Sequence, residues 1–281
     1  MSWRPGAELL AALEGKPSPW ADRFVRRAGA AVHRFGMIRD GDGVLAGVSG
    51  GKDSLALCLA LELRRRRVRD KYRLAALLVD WEDAPAPAGD LEDLGAYFEL
   101  LGVPFRVRSA SRASPRTGAW GCYECAQARK RELFRAARES GFGTVALGHH
   151  LDDMAETLLL NLVLHGRFEG MEPARSFFGG EVRIVRPLCD LREGSVRVFA
   201  ERMELPVLAS DCPRGVENPR RRAKDLLVEM GKIHRLVREH LFAAYAGASA
   251  AAEADRGKDP EGLRPGARKT DRGGRTWKST I

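Results

Sequence analysis

A glycine-rich turn between an apolar run and an apolar-periodic segment is the strongest constraint on the fold of this chain. The run at residues 44–48 is followed by Ser-Gly-Gly at 49–51, and hydrophobic residues then recur at helical spacing over residues 55–63. This order predicts a strand, a glycine loop and a helix. Because glycine has no Cβ, Gly50 and Gly51 let backbone N–H groups approach a ligand closely. The positive end of the helix dipole faces the same point, so the segment predicts a phosphate-binding loop.

The charged and hydroxyl side chains of this loop suit a nucleotide phosphate. Lys52 can neutralise phosphate charge, Ser54 offers a hydroxyl group, and Asp53 can cap the helix or hold a metal ion. The common mononucleotide loop would require glycine at position 46, where this chain has alanine, and Ser or Thr at position 53. The sequence therefore predicts a phosphate-binding loop of another type.

Strand and helix signals alternate along the chain, which is typical of an α/β fold. The predicted strands are residues 44–48, 73–79, 103–107, 144–147 and 182–185, and helices of about 10–15 residues separate them. This alternation predicts a doubly wound parallel sheet. We expect a loose N-terminal arm with one short helix at residues 1–19, and one domain at residues 20–245, which ends in a single long helix from residue 220. A flexible basic tail is expected at residues 246–281.

Polar side chains follow several of the predicted strands, and ligands of such sheets bind beyond the carboxyl ends of the strands. The loop at 49–54, Asp80, the cysteine-bearing loop around residue 122 and the segment 148–153 all follow strands, and Arg186 follows the last of them. We therefore expect these residues to meet along one edge of the sheet.

Four of the polar side chains at this edge have candidate roles. His149 can contact a phosphate or move a proton, and Arg186 can neutralise pyrophosphate. Asp152 is a natural helix N-cap, and it or Asp153 can help to bind ATP with Mg²⁺.

The five cysteines and the lack of an export signal predict a reducing, cytoplasmic location. Cys122 and Cys125 form a C-x-x-C pair at the start of a predicted helix, where the helix dipole favours the thiolate form. A zinc ribbon needs a second such pair, which this sequence lacks. Three interpretations stay open at this point. One is an iron–sulfur cluster held by Cys122, Cys125 and Cys212, another is a redox or persulfide-forming pair, and the third is zinc completed by His149 or His150, or two structural thiols.

The chain is basic, with a net charge of +9 and a pI of about 9.6, which favours a polyanionic partner such as RNA. The candidates for holding an RNA backbone are Arg220, Arg221, Arg222 and Lys224. No apolar run approaches the about 20 residues that a membrane helix needs. We therefore expect no association with a membrane.

Several motifs occur in a specific order along the chain. They are S-G-G-K-D-S at 49–54, C-Y-E-C at 122–125, G-H-H-L-D-D-M-A-E-T-L-L-L-N at 148–161, R-P-L at 186–188, and Cys212 before a basic helix. The first motif resembles that of the PP-loop ATP pyrophosphatase family, whose enzymes cut ATP between the α and β phosphates and leave AMP on a substrate oxygen. The whole set is similar to the tRNA 2-thiocytidine synthetase family, from about residue 24 to about residue 237.

This resemblance implies a Rossmann-like fold of the adenine nucleotide alpha hydrolase type, and a set of cofactors and site residues. Cys122, Cys125 and Cys212 would hold a 4Fe-4S cluster, and ATP would bind with Mg²⁺. Lys52, Asp53 and Asp152 would be catalytic. The implied nucleotide-binding residues are Ser49, Gly50, Gly51, Lys52, Asp53, Ser54, Asp80, His149, Asp153 and Arg186.

The implied reaction is ATP-dependent thiolation of an anticodon-loop cytidine of tRNA, at position 32. Adenylation of the C2 oxygen turns it into a leaving group, and sulfur then replaces it. The sulfur donor would be sulfide or a cysteine desulfurase, and dimers are usual for the family. The alternatives are a thiolase that acts on a uridine or through a cysteine persulfide, and a non-catalytic protein that binds RNA or adenylate. Cys58 lies within the apolar pattern of a helix and is expected in the core.

Overall fold

The computed structural model describes residues 3–112, 121–208 and 219–256, and for Cys122 and residues 249–256 it describes the backbone alone. The strands are β1 (Gly43–Val48), β2 (Arg73–Trp81), β3 (Phe105–Ala110), β4 (Thr144–Ala146), β5 (Ala174–Phe177) and β6 (Val182–Val185). The helices are α1 (Ala7–Leu13), α2 (Pro19–Arg34), α3 (Lys52–Arg65), α4 (Ala88–Leu101), α5 (Cys122–Glu139), α6 (Leu151–His165), α7 (Glu193–Arg202), α8 (Pro219–Ile233) and α9 (Val237–Arg256).

The six strands form one sheet in the order β3-β2-β1-β4-β6-β5, and all pairs are parallel except β5 with β6. The predicted α/β fold with a doubly wound parallel sheet is confirmed. The strand order reverses between β1 and β4, and this switch point is where such sheets bind their ligands. Both the glycine loop after β1 and the segment after β4 lie there.

Helices cover both faces of the sheet, which explains why the central strands read as nearly continuous apolar runs. Val44, Ala46 and Val48 of β1 point to one face, into a core shared with α1 to α4, the start of α6, and α7. Leu45 points to the other face, where it packs under α5. A smaller apolar cluster joins α6 to α8 and α9.

The N-terminal arm contains the one short helix that was expected, α1, but the arm is held against the domain and is not loose. The backbone N–H of Trp3 donates to Asp93, and its indole N–H donates to the carbonyl of Glu204, both at 2.7 Å. Leu9 and Ala12 of α1 are buried in the main core. The hydrogen bonds of Trp3 and the burial of Leu9 and Ala12 together hold this short helix on the domain.

The end of the chain also differs from expectation. The single helix predicted from residue 220 is two helices, α8 and α9, and the break at residues 234–236 allows both of them to pack against α6. The tail expected from residue 246 begins with helix, since α9 continues to Arg256. Its alanine-rich sequence has high helix propensity, and Phe242 and Tyr245 are buried earlier in the same helix. The rest of the expected tail, residues 257–281, lies outside the described residues.

Candidate active site

The glycine loop connects β1 to α3 as the sequence predicts. Gly50 has φ of +78°, the left-handed region that favours glycine, and a Cβ there would lie 2.5 Å from Cδ1 of Leu208. The N–H of Leu208 donates to the carbonyl of Gly50 at 2.9 Å, which holds this turn against the segment after α7. Gly51 is the N-cap of α3 and has an ordinary extended backbone.

Two serine hydroxyls fix the shape of the loop from inside. The hydroxyl of Ser54 donates to the carbonyl of Gly51 at 2.9 Å and accepts the N–H of Ser49 at 3.2 Å. The hydroxyl of Ser49 accepts the N–H of Gly51 at 3.3 Å. These bonds preorganise the turn, so that a ligand does not have to order it.

A cavity of about 450 Å³ opens at this loop, between the carboxyl ends of β1, β4 and β6 and the first turns of α5. It brings together six of the predicted site residues, which are Ser49, Asp53, Ser54, His149, Asp153 and Arg186. Gly50, Gly51, Lys52, Asp80 and Asp152 do not line it.

Asp53 presents a buried carboxylate oxygen to this cavity. Nζ of Lys52 lies 3.1 Å from each carboxylate oxygen of Asp53, and its hydrogen bond goes to Oδ2. Among the described residues Oδ1 is buried and accepts no hydrogen bond. The contact of Oδ1 with Lys52 is an ion pair without a hydrogen bond, so this oxygen keeps its lone pairs for a further ligand. The oxygen therefore suits a hard cation such as Mg²⁺.

The second predicted carboxylate is that of Asp153, and one of its oxygens caps the N-terminus of α6. The backbone N–H of His150 donates to Oδ2 of Asp153 at 2.9 Å, and Nδ1 of His150 accepts the N–H of Asp153 at 3.4 Å. This is a reciprocal capping box. The N-cap of α6 is thus His150, and the prediction that Asp152 fills this position is wrong.

Asp152 points away from the cavity and ties three helices together. Its Oδ2 accepts the N–H of Glu193 at 2.7 Å, and its Oδ1 forms an ion pair with Nε of Arg238 at 2.7 Å. Glu193 begins α7 and Arg238 belongs to α9, so this carboxylate has a structural position.

Lys52 and Asp80 are also engaged outside the cavity. Nζ of Lys52 contacts Oε1 of Glu193 at 3.4 Å. Oδ1 of Asp80 accepts the N–H groups of Trp81 and Ala86 at 3.0 Å each, which stabilises the turn after β2. Their predicted roles in nucleotide binding stay predictions.

His149 and Arg186 both line the cavity, and each has one side-chain nitrogen that makes no hydrogen bond to the described residues. Nδ1 of His149 and Nε of Arg186 are buried and have no hydrogen-bond partner among the described residues. Burial, with the nearby charge of Arg186, lowers the pKa of His149 to about 4, so its imidazole is neutral at pH 7. Burial lowers the pKa of Arg186 to about 10, which leaves it protonated. A neutral imidazole and a cation thus face the same space.

Three cations add positive charge to the wall of the cavity, namely Arg129, Lys130 and Arg175. Lys130 and Arg131, shortly after the cysteine pair, are candidates for phosphate contacts from the sequence alone, and Lys130 does line the cavity, whereas Arg129 and Arg175 were not predicted. Gly148 allows a close approach, because a Cβ on it would lie 2.8 Å from the carbonyl carbon and oxygen of Asp53. Sequence spacing alone does not reveal this contact.

The cysteines fall into two groups. Cys58 and Cys189 are buried in the main core, which confirms the expectation for Cys58. Burial raises the pKa of the Cys58 thiol to about 12 and that of Cys189 still further, so both are held as thiols. Cys125 is only partly buried and lies one turn before Arg129, on the same side of α5.

The predicted cluster ligands lie largely outside the described part of the chain. Cys212 is not among the described residues, and neither is the side chain of Cys122. Within the described residues, no group of three His, Cys, Asp or Glu side chains could hold a metal ion. Cys125 has the chemistry of a cluster ligand, since it is a thiol in the first turn of a helix and the helix dipole favours thiolate there.

None of the helices described is both long and apolar enough to cross a membrane.

The fold and the cavity define an α/β protein with a phosphate-binding loop at the switch point of a parallel sheet. A PP-loop domain matches residues 22–209. A tRNA-cytidine(32) 2-sulfurtransferase of Geobacter sulfurreducens is 36% identical over 77% of this chain and 86% of its own length. One of Aromatoleum aromaticum is 38% identical over 71% of this chain, and the matched segment spans 64% of that relative.

The chain therefore belongs to the PP-loop family, and within it to the group of the tRNA-cytidine(32) 2-sulfurtransferases. A solved structure agrees in fold: the U34-tRNA thiolase NcsA from Methanococcus maripaludis, which was determined with its 4Fe-4S cluster. It matches with a TM-score of 0.63 and 20% identity, over 80% of this chain and 78% of that one.

Proposed function

We propose that this protein replaces the C2 oxygen of cytidine 32 in tRNA with sulfur, at the expense of ATP. The observation that carries the proposal is the shared cavity: the phosphate-binding loop and the helix that begins with the C-x-x-C pair line the same space. The substrate class is supported by the name of the Geobacter sulfurreducens relative, of which the match covers 86%.

ATP binds with its β and γ phosphates against the loop at 49–54 and the N-terminus of α3. Lys52 leaves Glu193 to approach these phosphates, and Arg186 faces them from β6. Asp53, through Oδ1, is the residue that would hold Mg²⁺, which neutralises charge on the pyrophosphate. These groups stabilise the leaving group where its charge develops.

The first step forms a bond between the C2 oxygen of cytosine and the α-phosphorus of ATP. The bond from the α-phosphorus to the bridging oxygen breaks, and pyrophosphate leaves with both electrons. Neutral His149 can donate or accept a hydrogen bond at this point, since its pKa of about 4 keeps it uncharged. The target base must be exposed, and an anticodon-loop nucleotide is already single-stranded.

In the second step a hydrosulfide equivalent adds at C2, its S–H proton passes to solvent, and AMP leaves with the former C2 oxygen. The residues that would hold a 4Fe-4S cluster are Cys122, Cys125 and Cys212; when bound, the cluster supplies an iron open to exogenous sulfide. The role of this chain's own residues is to keep the adenylated base in the cavity and away from water.

The remaining partners follow from the same proposal. The sulfur comes from free sulfide or from a cysteine desulfurase, and the tRNA substrate places the protein in the cytoplasm. A homodimer is supported by apolar side chains exposed on α6 and α8, where Val163 is 66% and Leu226 45% accessible.

Mass spectrometry of tRNA nucleosides tests the proposal. A strain that lacks the gene should lose 2-thiocytidine, and the wild-type gene should restore it. A Cys125→Ser gene should fail to restore it, whereas Cys189→Ser, which alters a buried core thiol, serves as the matched control. Loss of 2-thiouridine instead would assign the enzyme to uridine, and an unchanged nucleoside profile would contradict the proposal.

A further inference from the structure

We propose that Phe178, at the tip of the hairpin between β5 and β6, forms with Phe177 and Phe134 a stacking platform for a base of the single-stranded RNA loop. We call these three residues the aromatic platform. The inference rests on the proposed function, because that function supplies the RNA, and it adds the surface that would hold a nucleotide next to the target cytidine.

The three rings pack against one another and still leave one of them open. The ring centroid of Phe134 lies 5.1 Å from that of Phe177 and 5.3 Å from that of Phe178, and the second pair meets edge to face. Phe134 is buried, whereas Phe178 is 54% accessible to solvent. The platform thus combines a buried ring, Phe134, with an exposed ring, Phe178, on which a nucleobase could stack.

The backbone under Phe178 does not favour a phenylalanine. Its φ is +55°, and Gly179 and Gly180 follow with φ of +66° and +100°. Glycine or asparagine is the usual residue in this conformation, and a bulky one is disfavoured. More than half of the Phe178 side chain remains exposed, so burial in the core does not account for an aromatic residue at this position. Such local cost is typical of positions that serve binding.

Cations are interleaved with these rings. Nζ of Lys130 lies 4.3 Å from the centroid of Phe177, and the guanidinium carbons of Arg175 and Arg138 lie 5.4 Å from Phe177 and 5.8 Å from Phe178. Alternating rings and cations bind single-stranded nucleic acids, since bases stack on the rings and phosphates pair with the charges.

Carboxylates neutralise only part of the positive charge around the aromatic platform. Arg138 pairs with Glu181 at 3.1 Å, and Arg175 lies 4.0 Å from Glu172. Lys130 has no carboxylate within ion-pair distance in the described part of the chain. The patch as a whole therefore keeps a positive charge, and this complements an RNA backbone.

The platform adjoins the catalytic cavity. Lys130, Phe134 and Phe177 line the same space as Ser49 and Asp53, whereas Phe178 lies outside it. Phe178 therefore lies beyond the cavity that holds the phosphate-binding loop, next to two of the residues that line it. This favours an RNA loop, with the target base in the cavity and a neighbouring base on the platform, over the adenine of ATP.

The test compares binding by full-length protein purified without oxygen. Phe178→Asn removes the ring but keeps a residue that tolerates the left-handed backbone, so the fold should be kept. Binding of an unmodified tRNA transcript, measured without ATP, should weaken roughly tenfold, as expected for the loss of one stacked base. ATP affinity should stay within about twofold, and Phe178→Trp should bind tRNA as well as wild type.

Phe168→Asn is the matched control, because Phe168 is similarly exposed, at 47%, and likewise packs against an aromatic ring, that of Tyr245 at 6.0 Å. It should bind tRNA like the wild type. The inference is overturned if Phe178→Asn binds tRNA normally, if both variants lose affinity equally, or if Phe178→Asn loses ATP affinity instead. These outcomes concern binding alone. Failure of wild-type protein to make 2-thiocytidine would be a separate result, directed at the proposed function.

Discussion

Nζ of Lys52 lies 3.4 Å from Oε1 of Glu193, although 141 residues separate them in the sequence. The other oxygen of Glu193 accepts a hydrogen bond from Lys224 of α8 at 2.5 Å. The carboxylate at the start of α7 therefore joins the phosphate-binding loop to the basic helix. Because Lys224 is a candidate RNA contact, Glu193 lies between the proposed sites for the two substrates.

Replacing Glu193 with glutamine should lower stability in a pH-dependent way. Burial raises the pKa of Glu193, but its hydrogen bond to Lys224 and the charges of Lys224 and Lys52 outweigh burial and hold the pKa below the usual value. A depressed pKa contributes stability that is present above the unfolded-state pKa and is lost as the pH falls through the folded-state value. Glu193→Gln should therefore cost about 1 kcal/mol at pH 7.

Urea unfolding of both proteins between pH 3 and pH 8 measures this effect. The difference between wild type and Glu193→Gln should shrink as the pH falls below 4.5, through the depressed pKa of Glu193 in the folded state. A difference that stays constant over the whole range would show that the charge of Glu193 is not the cause.

Asp53→Asn and Asp152→Asn should separate the chemistry from the scaffold. Asp53→Asn should change the Tm little, because the ion pair that it loses with Lys52 is partly exposed, but it should slow tRNA-dependent pyrophosphate release about 10²–10³-fold by the loss of a metal ligand. Asp152→Asn should lose roughly 1–3 kcal/mol of stability, because it weakens the ion pair with Arg238.

Measurements of pyrophosphate release and of thermal unfolding on both variants show which aspartate acts in the reaction and which stabilises the fold. If Asp152→Asn folds with wild-type stability and releases no pyrophosphate, the catalytic role predicted for Asp152 from the sequence is correct and the structural one is wrong.

Gly50→Ala and Gly51→Ala form a matched pair in the phosphate-binding loop. Gly50→Ala puts a Cβ 2.5 Å from Leu208 on a left-handed backbone and should cost about 1–3 kcal/mol of stability. At Gly51 the nearest atom, Oγ of Ser49, is 3.4 Å away and the backbone is extended, so Gly51→Ala should fold like the wild type. Equal Tm values for the two variants would contradict this account of the turn.

Glu156 should make the protein less stable as the pH rises. Burial and the neighbouring charge of Asp153 raise its pKa from 4.5 to about 7. The folded state therefore binds the proton more tightly, and stability falls as the pH rises from about 4.5 to 7. Glu156→Gln should raise the Tm at pH 8 by about 2–4 °C, which corresponds to about 1 kcal/mol, and should have no effect at pH 4.

Scanning calorimetry at the two pH values checks the Glu156 prediction. An equal gain at pH 4 and pH 8 would mean that the substitution acts through packing. A loss of stability at pH 8 would mean that the ionised carboxylate is stabilised in the fold, contrary to the raised pKa.

The sheet and the phosphate-binding loop could be predicted because their signals are local. The apolar run before Ser49, the glycine pair and the helical spacing after it lie within about twenty residues, and parallel strands bury both faces. β5 was not predicted, since the short segment Ala-Arg-Ser-Phe at its position shows little alternation and lies at a sheet edge. The break between α8 and α9 depends on their shared contact with α6, which no local pattern encodes.

The sequence predicted which residues lie at the site more successfully than it predicted the role of each residue. The edge of the sheet did gather Ser49, Asp53 and His149, because topology alone places the ends of parallel strands together. Asp152 and Asp153 differ in role because Asp152 contacts Glu193 and Arg238, which belong to helices that are distant in the sequence. Two neighbouring aspartates at the start of a helix cannot be distinguished from the sequence, because the role of each depends on the residues that it contacts.

The most direct test is a reconstituted reaction with cluster-loaded protein, unmodified tRNA, ATP, Mg²⁺ and sulfide, in the absence of oxygen. We predict that each 2-thiocytidine formed in the tRNA is matched by one AMP and one pyrophosphate, and that no ADP appears. Formation of 2-thiocytidine without ATP, or release of ADP and phosphate in its place, would contradict the account.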